Sequence, residues 1–244
     1  MAHLYLVDHQ RLIAGETVRL TGDEAHHAAK AARLRVGERV QIGDGRGHLA
    51  RAEATSVDAD AVELVVVEAW MVDREQPEVW LAQSLAKQGR DEQAVEQATE
   101  VGVDRVIPLS TERAVVKWDE AKKTSGHERW RRIVREATKQ SLQPYLADVE
   151  PLHSLTELLE RADIQFIALD HRAEKSILDV PIEPLPGAAP IVLAVGPEGG
   201  WSDGEREAIV AAGGGLAKLG SGVLRASSAG PIALALMRAR LRQW

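Results

Sequence analysis

Two short apolar runs limit the folds open to this chain more than any other feature. "IQFIALD" (164–170) and "IVLAVG" (191–196) lack the polar–apolar alternation of a strand with one solvent-exposed face. Such runs are typical of strands buried on both faces of a parallel sheet. Around them, predicted strands ("VWLAQSLA", "DRVIPLS", "LAKLG") alternate with predicted helices ("DEQAVEQATEVG", "ERWRRIVREATKQS", "SDGEREAIVAAG", "SAGPIALALMRARLRQW"). This alternation predicts a parallel α/β domain over residues 73–244.

The first part of the chain has a different texture. "RVQIGDGRGHLARAEATSV" predicts two strands around a glycine-rich turn, and the β-branched "AVELVVVEAW" predicts a third. "TGDEAHHAAKAARL" predicts a short helix with Thr21 or Asp23 as its N-cap. These elements predict a small β-barrel-like domain over residues 1–72, ending near Trp70, with "MVDREQPE" as the linker that follows.

Composition excludes several classes of protein. The chain has no cysteine, so disulfides and thiolate metal sites are absent. No run approaches the roughly 18 to 20 apolar residues of a membrane span, and "MAHLYLVDHQRL" lacks the features of a signal peptide. We therefore expect a cytoplasmic protein that spans no membrane. No His/Asp/Glu spacing indicates a metal site, and adjacent His26 and His27 would point to different faces of a helix.

Charge is distributed unevenly along the chain. The net charge is −7, which by itself disfavours nucleic-acid binding. Yet residues 19–51 carry seven Lys/Arg against four Asp/Glu, residues 112–143 carry nine against five, and residues 218–244 carry five against none. Because local fields attract a polyanion, these stretches are candidate RNA contacts. Each could equally be a solvated helix face.

A glycine-rich turn follows the second apolar run. In "LAVGPEGGWSDGE" (193–205) the predicted strand enters Gly-Pro-Glu-Gly-Gly, and Ser202 with Glu205 forms a capping box for the next helix. Ligands of open α/β sheets bind beyond the carboxyl ends of strands, so the amides of residues 198–200 are candidate ligand donors. Neither the dinucleotide fingerprint nor the P-loop pattern is present. A plain tight turn is the alternative.

A second glycine-containing loop strengthens the ligand hypothesis. "KLGSGVLRASSAGP" (218–231) leads from a short strand into the last helix, with Pro231 expected in the first turn. Two such loops at neighbouring strand ends predict one shared pocket. Arg225, flanked by small residues, is a candidate functional cation, and capping of carbonyl groups is its alternative role.

Together these motifs resemble the SPOUT methyltransferases, most closely the RsmE family, which methylates N3 of a uridine in 16S ribosomal RNA. "LAVGPEGGWSDGE" and "LGSGVLRASSA" match its two C-terminal signatures. "HHAAKAARLRVGERVQIGDGRG" resembles its PUA-like segment, while "LAQSLAKQGRDEQAVEQATEVGVDRVIPLSTERAVVKW" and "RWRRIVREATKQS" resemble its central blocks. These segments follow one another in the family's order, and the resemblance extends over nearly the whole chain.

The resemblance implies a PUA-like β-barrel RNA-binding domain (1–72) and a SPOUT α/β domain (73–244) with a deep trefoil knot. It further implies a homodimer, a 16S ribosomal RNA or small-subunit partner, and S-adenosyl-L-methionine as cofactor. The apolar positions Ile232, Leu236, Met237, Leu241 and Trp244 of the last helix are candidate dimer contacts. The expected cofactor-binding residues are Leu169, Gly196, Pro197, Glu198, Gly199, Gly200, Leu219, Gly220, Val223, Leu224 and Ala226.

The reaction places two demands on the protein. The uridine imide loses its N3 proton, and negative charge spreads onto O2 and O4. We expect Arg113 and Arg225 to stabilise that charge, and Glu198 is a candidate proton acceptor. Lys30, Arg33, Arg35 and Arg46 are the expected RNA contacts of the first domain, and Arg131, Arg135 and Lys139 form a second basic stripe.

Two departures from the family pattern keep alternatives open. "LRASSA" (224–229) lacks the glutamate of the family's L-R-T-E-T-A, and "QSLQ" (140–143) lacks the arginine of its Q-S-G-R. One alternative is a SPOUT methyltransferase that acts on another RNA. Another is an RNA-binding ribosome-assembly factor without catalysis, and a nucleotide-dependent α/β enzyme remains if the resemblance is fortuitous.

Overall fold

The computed structural model describes residues 4–7, 12–182 and 188–244. The chain divides into two compact units, Met1–Arg74 with Thr138–Leu146, and Glu75–Ala137 with Ala147–Trp244. The first division lies two residues beyond the boundary expected after residue 72. That residues 138–146 belong with the first unit was not predicted from the sequence. Among the described residues no helix is long and apolar enough to cross a membrane, and no cluster of three or more His, Asp or Glu could hold a metal ion.

Unit 1 is built on one mixed sheet. Over the described residues its strand order is β1-β3-β4-β5-β2, with β1 parallel to β3 and the other pairs antiparallel. β1 and β2 are therefore the two edge strands of this sheet, whereas the sequence predicted a barrel. The alternating pattern of β4 and β5 places small and branched residues inside, among them Ala50, Ala52 and Leu64. The strands are β1 (Leu4–Leu6), β2 (Thr17–Thr21), β3 (Arg39–Gly43), β4 (His48–Val57) and β5 (Ala61–Met71).

The predicted helix of unit 1 is short. α1 (Gly22–His26) continues into one π-helical turn (His27–Ala31). Thr21 occupies the N-cap position, but its side chain accepts no capping hydrogen bond.

Residues 138–146 join unit 1 through specific contacts. Leu142 and Leu146 pack against Leu4, Leu6 and Leu49. The Gly47 N–H donates to the Pro144 carbonyl at 3.0 Å, and the Tyr145 hydroxyl donates to the Val72 carbonyl at 2.7 Å. These bonds and apolar contacts are long-range, so no local pattern could have announced them.

Unit 2 contains the parallel sheet that the apolar runs predicted. Over the described residues it has seven strands, in the order β12-β10-β11-β6-β7-β8, and β9 also pairs with β7. Every pairing is parallel. All five residues of the strand Ile191–Val195 are buried, because helices cover both faces. The strands are β6 (Val79–Ser84), β7 (Arg105–Ser110), β8 (Asp148–Val149), β9 (His153–Ser154), β10 (Gln165–Leu169), β11 (Ile191–Val195) and β12 (Gly215–Ala217).

The helices follow the predicted pattern with small shifts. A 3₁₀ turn (Lys87–Gly89) precedes α2, and Gly102 ends α2 with a positive φ of 97°. Helices α2 and α6 pack against each other, and α6 also packs on β6 and β11. The helices are α2 (Arg90–Val101), α3 (Glu120–Ser141), α4 (Leu155–Leu159), α5 (Asp203–Ala211) and α6 (Ala226–Leu241).

Three details of the helices correct the sequence reading. α6 begins at Ala226, so Pro231 lies inside the helix rather than in its first turn. Met237 is fully buried within unit 2 and is not part of an exposed stripe, whereas Ile232 and Trp244 are exposed. Lys139 was expected on an outer basic stripe but is buried, with its Nζ 3.2 Å from Glu24 Oε1.

Candidate functional site

A cavity of about 290 Å³ lies at the carboxyl edge of the unit 2 sheet. Three loops form it, one after each of the neighbouring strands β10, β11 and β12, and the first residue of α2 adds Arg90. Every expected cofactor-binding residue except Gly220 lines it. Those lining residues are Leu169, Gly196, Pro197, Glu198, Gly199, Gly200, Leu219, Val223, Leu224 and Ala226.

The Gly-Pro-Glu-Gly-Gly turn is a hydrogen-bonded β-turn. The Gly200 N–H donates to the Pro197 carbonyl at 2.8 Å, and Gly200 has a φ of +65°, which favours glycine. The turn itself therefore uses the Gly200 amide, which was expected to donate to a ligand. The amides of Glu198 and Gly199 donate to no backbone carbonyl in the described part of the chain, so they are available to a ligand.

Several side chains hold this turn in place. The predicted capping box is confirmed: Ser202 Oγ accepts the Glu205 N–H at 3.1 Å, and Glu205 Oε2 accepts the Ser202 N–H at 2.9 Å. The Trp201 indole N–H donates to the Leu169 carbonyl at 2.9 Å. A Cβ on Gly196 would lie 3.1 Å from the Trp201 ring, so glycine allows this close packing.

Arg113 supports the turn from outside the cavity. Its Nη1 donates to the carbonyls of Gly199 and Trp201 at 3.1 and 3.2 Å. It is not among the residues that line the cavity. The structure therefore shows a positioning contact of Arg113 to the glycine turn, and its expected role in stabilising charge on the uridine stays a prediction.

Asp170 anchors the loop after β10. The carboxylate is almost fully buried, accepts the Arg172 N–H at 2.9 Å and lies 2.5 Å from Arg206 Nε. Burial alone would raise the pKa of Asp170, but these donors and the Arg206 and Arg172 charges hold it below its usual value. Asp170 is therefore ionised and a poor proton acceptor at neutral pH, although it lines the cavity.

The loop after β12 is held only at its start. The Lys218 N–H donates to the Lys175 carbonyl, and the Ile177 N–H donates to the Lys218 carbonyl, both at 2.9 Å. Beyond Leu219 the loop residues up to Arg225 are exposed, including the apolar Val223 (74%) and Leu224 (41%). A Cβ added to Gly220 would have no atom within 4 Å, and Gly220 does not line the cavity, whereas Gly222 does.

Two of the three proposed catalytic side chains line the cavity. Arg225 lies at the N-cap position of α6 and is exposed, and its side chain makes no hydrogen bond or ion pair with any residue that the structure describes. Its alternative role in capping carbonyls is not seen there. Glu198 is 3.5 Å from Nη1 of Arg90, so its charge is partly balanced.

Sequence reasoning missed several lining residues, notably Arg90, Asp170, His171, Trp201 and Lys218. Asp170 and His171 directly follow a predicted strand, and the strand-end rule could have found them. Arg90 was harder to find, because it enters the cavity only through the pairing of β6 with β11.

The expected RNA-binding residues lie in unit 1. Lys30, Arg33, Arg35 and Arg46 are all exposed, and their side chains make no ion pair within the described ranges. Arg33 has a φ of 54°, and Arg46 forms an isolated antiparallel bridge with Tyr145. Their availability is compatible with phosphate contacts.

Two protein-family models match separate segments of the chain. Residues 74–238 match the family model described as an RNA methyltransferase domain. Residues 20–67 match an RNA methyltransferase PUA domain. The chain belongs to this RNA methyltransferase family.

The similar proteins belong to one group within this family. The chain is 34% identical over 236 residues to ribosomal RNA small subunit methyltransferase E of Mycobacterium tuberculosis, covering 94% of this chain and 89% of that protein. It is 30% identical to the Bacillus subtilis protein of the same name, covering 90% and 89%. A crystal structure of the Neisseria gonorrhoeae enzyme bound to S-adenosyl methionine has a TM-score of 0.85 at 26% identity, over 98% of each chain. The resemblance found in the sequence is confirmed.

Proposed function

We propose that this protein uses S-adenosyl-L-methionine to methylate N3 of a specific uridine in 16S ribosomal RNA of the small subunit. The cavity at the carboxyl edge of the parallel sheet carries this proposal, because glycine loops form its walls and a family relative of the same fold is solved with S-adenosyl methionine. The substrate follows from the names of the curated relatives. The position N3 follows from the resemblance described above.

The cavity fits the proposed cofactor chemically. Bare glycines let a flat adenine approach the backbone, and the free amides of Glu198 and Gly199 can donate to its polar edge. Leu169, Val223 and Leu224 supply apolar surface for the ring. When bound, the cofactor supplies an electrophilic methyl group on a sulfonium.

Side chains of the cavity meet the needs of the nucleobase. Arg225, with no partner among the described residues, can lie beside O2 or O4 and stabilise the negative charge that forms as the N3 proton leaves. Glu198 can accept that proton, because Arg90 balances only part of its charge. Asp170 cannot serve well, since its pKa is lowered. Arg113 acts by holding the turn that carries Glu198.

Modified-nucleoside analysis tests this function. Small subunits from cells lacking the gene should lack 3-methyluridine at one position, and the purified protein with S-adenosyl-L-methionine should restore it. A different missing nucleoside would indicate another RNA target. Cofactor binding by calorimetry without any missing modification would favour a non-catalytic assembly factor.

The proposed trefoil knot involves the loops of the cavity. Backbone hydrogen bonds of Lys218 with Lys175 and Ile177 place the segment after β12 beside the loop after β10. The chain then returns as α6 to pack on β6 and β11. This return path is what a threaded C-terminal segment requires.

We also propose that the protein is a cytoplasmic homodimer. Ile232 on α6 and Trp244 beyond its end are exposed and supply apolar surface for a second copy. A stable monomer at micromolar concentration in sedimentation would contradict the dimer.

We propose that unit 1 docks the RNA backbone through Lys30, Arg33, Arg35 and Arg46. The Arg33→Ala/Arg35→Ala variant should bind small-subunit RNA more weakly and flatten its log–log salt dependence by about 0.7 per lost contact. Cofactor affinity should stay unchanged, because no residue of unit 1 lines the described cavity. A wild-type salt slope would show that this surface is wrong.

A further inference from the structure

A second cavity of unit 2 lies between the start of α2 and the first half of α3. Its volume is about 380 Å³. Gly89 and Asp91 line one side, while Trp118, Lys122, Arg129 and Arg132 line the other. It thus combines an aromatic ring with three basic side chains.

A glycine inside helix α3, Gly126, makes room for the Trp118 indole. Gly126 lies inside the 22-residue helix α3, where glycine is unfavourable by roughly 1 kcal/mol relative to alanine. A Cβ at Gly126 would be 2.5 Å from the Trp118 ring, so any larger residue would displace the indole. The ring also meets Trp130 edge-to-face with centroids 5.8 Å apart, and Trp130 is buried. Trp118 itself is only partly buried, so a fixed ring is presented to the cavity.

The basic side chains occupy one face of α3. Lys122, Arg129 and Arg132 recur at spacings of seven and three residues, as a single helix face requires. Arg129 is paired with Glu92 at 2.7 Å, and Lys122 lies 3.9 Å from Asp119. Arg132 is exposed and its side chain has no ion pair or hydrogen bond within the described residues, so its charge is available.

Two acidic residues oppose these cations without cancelling them. Glu92 is already paired with Arg129. Asp91 lies in the first turn of α2, accepts the Glu92 N–H at 3.0 Å, and faces the positive end of the helix dipole. Of the three cations, Arg132 has no acidic partner among the described residues, and Lys122 has only the exposed Asp119 at 3.9 Å.

The second cavity adjoins the candidate active site along the chain. Gly89 and Asp91 line this cavity, and Arg90 between them lines the cofactor cavity. The start of α2 therefore separates two sites that a short stretch of one polymer could occupy together.

We propose that this second cavity binds a nucleotide that flanks the target uridine, with its base on Trp118 and its phosphate beside Lys122 and Arg132. This inference rests on the proposed methylation of RNA. An aromatic ring beside basic side chains is how proteins hold single-stranded RNA, because base stacking tolerates any sequence and the cations contact the phosphate backbone. RNA is the occupant that the position favours, because the start of α2 connects this cavity to the one in which the proposed reaction places the target base.

Adjacent arginines supply a matched test of the phosphate contact. Arg132→Gln and Arg131→Gln remove the same charge from neighbouring exposed positions, but Arg131 does not line the cavity. With unmodified small subunits as substrate, Arg132→Gln should raise KM several-fold and leave kcat and cofactor affinity near wild type. With a labelled oligouridylate, its log–log salt slope should flatten by about 0.7. Equal effects of the two variants would overturn the phosphate contact.

Trp118 tests the stacking contact. Trp118→Leu keeps an apolar side chain against Gly126 but removes the stacking surface, so oligouridylate affinity should fall roughly tenfold. Trp118→Phe keeps a ring and should recover most of that loss. Thermal melts establish that both variants are folded. If leucine and phenylalanine bind alike at a common melting temperature, no base stacks there.

Three further outcomes separate the hypotheses. Failure of the wild-type protein to methylate small subunits would remove the proposed function itself. Wild-type methylation with unchanged KM in Arg132→Gln and Trp118→Leu would remove only the second site. A shift from dimer to monomer in sedimentation of either variant would show instead that a second copy covers the cavity.

Discussion

The two glycine loops of the cavity differ sharply in how they are held. The turn of residues 196–200 is fixed by the Gly200–Pro197 hydrogen bond, by Arg113 on two carbonyls, and by the Trp201 indole. The loop of residues 219–225 is exposed beyond Leu219 and makes no backbone hydrogen bond to the rest of the described chain before Arg225, the N-cap residue of α6. Both contain glycine, but only one is rigid before a ligand arrives.

This difference divides the tasks of the site. A preorganised turn loses little conformational entropy on binding, so it is suited to cofactor recognition. A loose loop ending in an unpaired Arg225 can adapt to the substrate, at an entropic cost when it becomes ordered. We therefore expect damage to the first loop to affect mainly cofactor affinity, and loss of the Arg225 side chain at the end of the second loop to affect mainly turnover.

The largest expected effect is loss of cofactor binding in Gly199→Val. The added Cβ would lie 3.3 Å from Arg113 Cβ, and the valine methyls would push the turn away from its brace. Isothermal calorimetry with S-adenosyl-L-methionine should show affinity reduced by about a hundredfold or more. Gly220→Val is the matched control, because no atom lies within 4 Å of its Cβ position and it does not line the cavity. Comparable losses in both variants would erase the distinction between the loops.

Arg225→Ala should reduce kcat by about a hundredfold, the scale seen when one stabiliser of transition-state charge is removed. Cofactor affinity should change little, since backbone and apolar groups form most of the cavity wall. Single-turnover methylation at saturating cofactor measures the effect. A loss confined to cofactor affinity would show that Arg225 serves cofactor binding, as the rigid turn does, and not turnover.

Asp170→Asn should lower the free energy of unfolding by about 3 kcal/mol, because it leaves Arg206 without its buried partner. The pKa of Asp170 is lowered in the folded state, so this stabilisation is present above the unfolded pKa and is lost as pH falls through the folded one. Urea unfolding at neutral and acidic pH measures both. Asp203→Asn, which removes the exposed partner of Arg172, should have little effect.

The smallest expected effect is that of Arg113→Ala. Two hydrogen bonds to turn carbonyls are lost, so the turn becomes less ordered and cofactor affinity should fall about five- to tenfold. At saturating cofactor, kcat should remain near wild type. If kcat instead falls a hundredfold, Arg113 contacts the reacting base, and the rigid turn of residues 196–200 takes part in catalysis.

The fold was largely predictable where local pattern decides it. The apolar runs at 164–170 and 191–196 became adjacent parallel strands, and Ser202 and Glu205 formed the capping box. The cavity lining was predictable in part, because ligand loops follow strand ends. Lys139 was wrongly predicted to be exposed. Helical spacing shows which residues share a face, but it does not show which distant segment, here the one with Glu24, covers that face.

The sequence by itself therefore determined the parallel sheet, the two glycine loops and the family, because periodicity and motif spacing are local properties of the chain. Tertiary structure alone decided that Arg113 braces a turn 86 residues away, that Arg90 joins the cavity, and that residues 138–146 pack with unit 1. It also decided that Gly126 accommodates the Trp118 ring. Each of these depends on which distant segments the sheet and helices bring together, and contact between distant segments leaves no periodic signal in a single sequence.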